Sequence, residues 1–306
     1  MAAAKRDVPA EIVQSIIEQI EQGLANPNDY VVPWHRRTSE GGPMNAITGD
    51  RYKGINTLVL SLSALPFETN RWATFKQWKA AGASVKKGSK GAKICFYSSV
   101  EREVAADGNA EPETKHVRFL KTYTVFNADQ VEGWEDPAAS EELVLPCEAK
   151  RIEAADAFVR ASGAKIRHEG GRAFYSLGTD AITMPDPDRF RAVADASATQ
   201  TYYATLLHEL THWTGAPKRL DRLTYCRFGD PEYAFEELVA ELGSVFLCRH
   251  LHIASAPRAD HARYLASWLK CLKAHPRALF KAAALAQQAV DYLEDKAAIV
   301  DQPLAA

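Results

Sequence analysis

The sequence predicts an α+β fold in which a small mixed N-terminal domain is followed by a mainly helical second domain. Strand-like runs lie in the first part, at residues 92–100 and 118–127, whereas apolar residues at helical spacing dominate after residue 152. A repeated strand–helix pattern is absent, which argues against a parallel doubly wound sheet. An acidic segment with two prolines separates the two parts.

The domain boundaries follow from this change in pattern. We expect a first domain at residues 1–132, a linker at residues 133–147 and a second domain at residues 148–306. A chain of 306 residues is long enough for two domains that each bury a core. The 46% apolar content and the net charge of −2 are ordinary for a globular protein and exclude a disordered or collagen-like chain.

The sequence also predicts an intracellular, cytoplasmic protein with no membrane partner. No apolar run approaches the ~18 residues that span a bilayer, and the charged residues 1–7 are not followed by an apolar signal segment. The five cysteines show no C-x-x-C spacing, which disfavours a disulfide framework and a cysteine zinc site. We therefore expect them to be reduced thiols.

Local signals predict the elements of the first domain in order. Apolar residues at helical spacing predict a helix over residues 12–26. Asn56 is expected to cap a short apolar helix. Thr74 and Gln77 have the spacing of a capping box and predict a helix over residues 75–81.

The second domain is predicted to be mostly helical, with short strands near Phe174 and Ile182. Its predicted helices begin near residue 152 and cover residues 202–213, 232–250, 258–274 and 276–294.

Residues 208–212 have the pattern H-E-x-x-H and lie in one of these helices. His208 and His212 are four residues apart, so both imidazoles project from one helix face and can reach one zinc ion. Glu209 then lies beside the open position of the ion, where it can accept a proton from water and pass it to a leaving amine. The motif predicts hydrolytic chemistry. A pair of surface histidines is the alternative, which the apolar flanks disfavour.

A catalytic zinc needs a third protein ligand, and the helix over residues 232–250 supplies four glutamates. Glu237 and Glu241 are about 40° apart on one partly buried stripe, where their charges would repel unless a cation lies nearby or one is protonated. Glu232 and Glu236 are expected on a solvated face. Two histidines near the end of this helix are rival ligands, His250 and His252.

A basic cluster suggests nucleic-acid binding. Residues 51–93 hold nine lysine or arginine side chains and a single acidic one. Basic side chains neutralise phosphates, and aromatic faces stack unpaired bases for about 1–3 kcal/mol each. The candidate DNA-binding residues are Arg71, Trp72, Phe75, Lys76, Trp78, Lys79, Lys86, Lys87 and Lys90. The alternative for the three aromatic residues is that they form the core of a small domain.

Longer motifs extend these signals over nearly the whole chain. In the first half they are Pro33-Trp34, Pro43-x-Asn45-x-x-Thr48-Gly49-x-x-Tyr52-x-Gly54-x-Asn56, Trp72-x-Thr74-x-x-Gln77 and Val85-x-Lys87-Gly88-x-Lys90-Gly91. In the second half they are residues 180–185 (DAITMP), 202–215 (YYATLLHELTHWTG) and 236–241 (EELVAE). Together they resemble the ArdC-type antirestriction proteins, with an N-terminal single-stranded-DNA-binding domain and a C-terminal zincin-like metallopeptidase domain.

The resemblance implies roles for particular residues. Gluzincins carry H-E-x-x-H followed after a gap by E-x-x-x-D, so Glu237 falls on the position of the third zinc ligand. Glu241 replaces the aspartate that orients the first histidine, here His208. The same resemblance implies a protein that binds single-stranded DNA and protects incoming plasmid or phage DNA from host restriction.

Single-stranded DNA is therefore the expected partner, and subunits of the host restriction enzyme are a second candidate. Two other interpretations stay open. One is an intracellular zinc metalloprotease whose N-terminal module docks a protein partner. The other is a DNA-binding protein in which the zinc is purely structural.

Overall fold

A computed structural model describes residues 7–24, 33–35, 41–64, 66–104, 113–136, 147–193, 196–223, 230–255 and 261–301. Within these ranges a mixed sheet region precedes a helical region, which confirms the predicted α+β class. Cys226 and most of the predicted linker lie outside the described residues, and the other four cysteines are free thiols. None of the described helices combines the length and apolar character that crossing a bilayer requires.

The first part of the chain builds a four-stranded sheet. Its helices are α1 (Val8–Leu24), α2 (Ile55–Ser63) and α3 (Phe75–Ala80), and its strands are β1 (Met44–Asn45), β2 (Arg71–Thr74), β3 (Ser84–Val85), β4 (Ala92–Val104), β5 (Glu113–Asn127) and β6 (Val131–Glu132). The sheet has the order β1-β2-β5-β4, in which only the β1–β2 pair is parallel, and β3 and β6 form a separate antiparallel pair. β4 is therefore an edge strand.

Two capping predictions for this region have different outcomes. The capping box of α3 is confirmed, because Thr74 Oγ1 accepts from the Gln77 backbone N–H at 3.2 Å and Gln77 Oε1 accepts from the Thr74 N–H at 2.9 Å. The prediction that Asn56 caps α2 is wrong, because Gly54 occupies the cap position. The Asn56 amide instead donates to the carbonyl of Cys95 and accepts from its N–H, both at 2.8 Å. This side chain thereby satisfies the backbone of edge strand β4.

The described residues of the second part form a small sheet and five α-helices. These are α4 (Glu148–Ser162), β7 (Lys165–His168), β8 (Phe174–Ser176), β9 (Ala181–Met184), α5 (Ala198–Thr214), α6 (Pro231–His250), α7 (His261–Ala274) and α8 (Arg277–Asp301). The sheet order is β7-β9-β8, so β8 lies at an edge. α5 begins with a capping box formed by Ser197 and Gln200. The predicted helices and two of these strands are confirmed within the described residues, whereas residues 258–260 of one predicted helix lie outside them and β7 had no predicted counterpart.

The largest apolar core contains side chains from both parts of the chain. α1 packs against α7 and α8, and α2 also packs against α8. The described core is therefore continuous across the predicted boundary, and the division into residues 1–132, 133–147 and 148–306 stays a prediction. Within this core, α5 packs along α6, which brings the H-E-x-x-H motif opposite the glutamates of the second helix.

Candidate metal centre

Three predicted metal ligands converge between α5 and α6. His208, His212 and Glu237 each offer a ligand atom, and these atoms all lie within 4.8 Å of one another. Glu237 Oε2 is 3.6 Å from His208 Nε2, and Glu237 Oε1 is 3.5 Å from His212 Nε2. The two imidazole rings are 4.9 Å apart and nearly perpendicular. Two nitrogens and one carboxylate thus face a common point.

The buried ring nitrogens of His208, which lack hydrogen bonds to the described residues, support binding of a cation at this point. The residue is 3% exposed, and neither of its ring nitrogens has a hydrogen-bond partner within the described ranges. A buried polar group without a partner is unfavourable, so such atoms in a native protein call for a ligand. A His₂Glu donor set suits zinc and other divalent transition metals. The residues therefore fit a divalent metal ion.

The electrostatics of the site also favour a positive charge. Burial raises the pKa of the Glu237 carboxyl, but contacts with His208 and His212 outweigh it and hold this pKa below its usual range. Burial lowers the pKa of His212, but Glu236 and Glu237 outweigh it and raise this pKa to about 10. Both shifts have the direction expected of a site that favours an ionised Glu237 carboxylate and a neighbouring positive charge.

Glu236 and Arg222 form part of the site that the sequence did not predict. The expectation of a solvated face holds for Glu232, which is exposed, but is wrong for Glu236, which is largely buried. Glu236 Oε1 lies 3.1 Å from His212 Nδ1, and Arg222 Nε donates to Glu236 Oε2 at 2.9 Å. A carboxylate on Nδ1 orients a ligand histidine so that Nε2 faces the metal. The residues come from separate segments, so no local spacing could have indicated the contact.

Glu241 connects the metal site to an N-terminal segment. Its Oε2 faces His208 Nδ1 at 3.9 Å, which is longer than a hydrogen bond, so its role in orienting His208 stays a prediction. Its Oε1 lies 2.5 Å from His35 Nε2 and accepts from Trp34 Nε1 at 3.4 Å. His35 Nδ1 in turn lies 2.6 Å from Ser255 Oγ. His35 carries no motif signal, and sequence analysis did not identify it.

Glu209 is buried beside His208, and edge strand β8 holds its carboxylate. Oε2 of Glu209 accepts from the backbone N–H of Tyr175 at 2.9 Å. The Tyr175 hydroxyl donates to Asp180 at 2.8 Å, and Arg219 donates to the same Asp180 oxygen at 2.6 Å. The Arg219 guanidinium also lies 3.9 Å above the Trp213 ring, so Arg219 connects β8 to the end of α5.

The rival ligand His250 contacts Glu294 at 2.9 Å instead. Neither His250 nor His252 joins the described ligand cluster.

The candidate DNA-binding residues fall into exposed and buried groups. The exposed group consists of Phe75, Lys76, Lys79, Lys86, Lys87 and Lys90. Trp72 and Trp78 are 1% and 0% exposed, so neither ring presents a face to a base in this conformation. Trp72 packs in the sheet core, and Trp78 packs on Trp134 and donates its indole N–H to the Phe126 carbonyl at 3.1 Å. Arg71 is half-buried and paired with Asp136 at 2.9 Å.

Two protein-family models match the chain in succession. The N-terminal domain of anti-restriction factor ArdC matches residues 6–126, and a zincin-like metallopeptidase matches residues 153–285. An uncharacterised protein of Sinorhizobium fredii, y4eC, is 40% identical over 94% of this chain and 91% of its own length. The DNA primase TraC of Escherichia coli is 37% identical over 96% of this chain, which spans 27% of that primase.

Solved structures of one similar protein extend the comparison to the fold. The metal-free crystal structure of the antirestriction ArdC protein from the R388 plasmid shares 37% identity and a TM-score of 0.75, and the match covers 96% of this chain and 99% of that one. A Mn(II)-bound structure of the same protein has a TM-score of 0.72 at 36% identity, with the same coverage. That relative therefore binds a divalent cation.

Proposed function

This chain belongs to the ArdC family of antirestriction proteins and carries a zincin-like domain, and on that premise we propose that it binds single-stranded DNA and so protects incoming plasmid or phage DNA from host restriction. We propose further that the zincin-like domain is a zinc-dependent peptidase centre. The convergence of His208, His212 and Glu237 is the main observation in support of the peptidase proposal.

The charge of the N-terminal part supports the DNA-binding proposal. The five exposed lysines of the candidate set lie on α3 and on the loop between β3 and β4, close together in the chain. Neighbouring positive charges neutralise successive phosphates without reading base sequence. Such binding suits a protein that must protect DNA of any sequence.

In the proposed centre, His208, His212 and Glu237 would hold the ion, which when bound supplies a Lewis acid and lowers the pKa of water. Glu209 is the carboxylate of the H-E-x-x-H motif, and the Tyr175 N–H fixes its Oε2. From this position Glu209 can accept a proton from water and deliver it to the leaving amine of a peptide. Glu236 fixes the tautomer of His212, because it accepts the Nδ1 proton.

The peptidase proposal is tested with Glu209→Gln, which keeps the size of the side chain and an oxygen for the Tyr175 N–H. We expect this variant to bind zinc and single-stranded DNA as the wild type does and to lose any peptide cleavage. Glu232→Gln, on the exposed side of α6, is the matched control. Cleavage of a peptide library or of restriction-enzyme subunits by Glu209→Gln at the wild-type rate would contradict the assignment.

A cellular restriction assay separates the two parts of the proposal. Protection by DNA coating should be lost when Lys86, Lys87 and Lys90 are reversed to glutamate and should persist in Glu209→Gln. Complete loss in Glu209→Gln with full protection by the lysine variant would favour the protease alternative, in which restriction-enzyme subunits are the substrate.

A further inference from the structure

Two exposed aromatic rings lie side by side on adjacent strands of the four-stranded sheet. Phe96 of β4 is 44% exposed and Tyr123 of β5 is 42% exposed, and their ring centroids are 5.6 Å apart in an edge-to-face arrangement. In the β4–β5 register, Phe96 is directly opposite Lys121 and Tyr123 is directly opposite Ile94. Directly opposed residues share a face of an antiparallel pair, and so do residues two apart on one strand. Ile94, Phe96, Lys121 and Tyr123 therefore lie on one side of the sheet.

The exposure of this pair results from the length of the neighbouring strand. β2 pairs with β5 only over Val125–Asn127, so Tyr123 lies beyond the end of β2. On the same face, Ile94, Val125 and Trp72 are covered by Leu60 of α2 and form a closed core. The apolar face therefore continues from a covered core onto an open surface at Phe96 and Tyr123. Large apolar rings in such a position mark a binding surface.

A groove beside Phe96 adds polar groups to this surface. Its volume is about 540 Å³, and it lies between the segment around Arg51 and Tyr52 and the glutamines Gln287 and Gln288 of α8. This volume is within the range of roughly 300–1,000 Å³ that small-ligand sites occupy. The exposed side-chain amide of Gln288 can bond to base edges, and Arg51 is exposed for contact with a phosphate. The Gln287 amide instead accepts from the Gly54 N–H at 2.9 Å and donates to Asp291 at 3.0 Å. The acidic Asp291 in the groove is paired with Lys53 at 2.8 Å, which offsets its charge.

We propose that Phe96 and Tyr123 are the base-stacking site for single-stranded DNA, with Lys121 and Arg51 contacting the backbone. This inference rests on the proposed DNA binding and replaces Trp72 and Trp78, whose faces are covered. Aromatic side chains on adjacent strands of an open sheet stack unpaired bases, whereas a duplex hides its base faces. The excess of basic residues over residues 51–93 favours a polyanion over an apolar protein partner.

The test compares Phe96→Ala, Tyr123→Ala and the double variant with the wild-type full chain. Anisotropy of a labelled oligo(dT) at fixed salt measures the Kd. We expect each single variant to weaken binding by about fivefold to 150-fold, as loss of one stacked base implies. The salt dependence should not change, because no phosphate contact is removed. Tyr123→Phe should bind as the wild type does, and Phe174→Ala, which removes an exposed ring from β8, is the matched control.

A second measurement does not depend on variants that fold. An oligonucleotide with 5-iododeoxyuridine should photo-crosslink to Phe96 or Tyr123 in the wild-type chain, as identified by peptide mass spectrometry. Wild-type affinity in the double variant, with crosslinks located elsewhere, would overturn this inference and leave the proposed DNA binding standing. A wild-type chain that binds no oligo(dT) would instead refute the proposed function itself.

Discussion

Gly243 sets the distance between the two helices that carry the candidate metal ligands. A Cβ atom at this position of α6 would lie 2.4 Å from Thr211 Cγ2 and 2.7 Å from Thr211 Oγ1 of α5. Thr211 is fully buried, and its hydroxyl donates to the Leu207 carbonyl at 2.8 Å. This side chain therefore cannot turn aside without losing a buried hydrogen bond. Substitution of Gly243 by alanine should force α5 and α6 apart.

The expected change in the free energy of unfolding is the balance of two opposing effects. Replacing glycine by alanine inside a helix stabilises it by about 1 kcal/mol. Overpacking a closed interface costs about 1–3 kcal/mol. The contacts of an added Cβ at Gly243 would be shorter than real Cβ atoms adopt, so we expect the packing cost to exceed the helix gain. Gly243→Ala should therefore lower the free energy of unfolding by up to about 2 kcal/mol. Metal affinity should fall as well, because α5 carries His208 and His212 whereas α6 carries Glu237.

Urea unfolding of the full chain, with and without zinc, measures this effect. Gly178→Ala is the control, because a Cβ there would meet no atom within 4 Å. The double variant Gly243→Ala/Thr211→Ala should be less destabilised than the sum of the single variants, since removing the threonine side chain makes room for the new Cβ. A Gly243→Ala protein that is about 1 kcal/mol more stable than the wild type and binds zinc normally would refute the close approach of the two helices.

Three further predictions concern the metal centre, the basic loop and the acid sensitivity of the fold. Glu236→Gln should lower zinc affinity by about 10–100-fold in a chelator competition, whereas the exposed Glu232→Gln should not, and equal affinities would contradict the role of Glu236 at His212. Reversing Lys86, Lys87 and Lys90 to glutamate should reduce the slope of log affinity against log salt for single-stranded DNA by about two, and an unchanged slope would place the phosphate contacts elsewhere. Hydrogen bonds from Arg219 hold the pKa of Asp180 below its usual range. This carboxylate therefore stabilises the fold above the unfolded pKa of about 4, and the contribution is lost as pH falls towards the folded pKa. The stability difference between wild type and Asp180→Asn should then shrink from pH 6 to pH 2 in thermal unfolding, and a constant difference would contradict this.

Features that depend on near neighbours in the chain could be predicted from the sequence. The capping box of Thr74 and Gln77 requires a spacing of three residues, and the H-E-x-x-H motif requires one turn of helix. Both were located correctly, because hydrogen bonding and periodicity within one helix involve a few consecutive residues. Helical spacing indicated Glu237 and Glu241 together, and the resemblance to a known family then distinguished Glu237 as the candidate ligand.

The sequence by itself determined the α+β class, the main helices and the position of the H-E-x-x-H motif. The tertiary structure alone decided which charged and aromatic side chains meet or remain exposed. Glu236 approaches His212, Arg222 approaches Glu236, and His35 approaches Glu241, across separations in the chain that carry no periodic signal. Trp72 is buried and Phe96 is exposed on the same sheet, because α2 covers one part of the face and β2 ends before the other. Burial depends on which element covers a residue, and that is a property of the assembled fold.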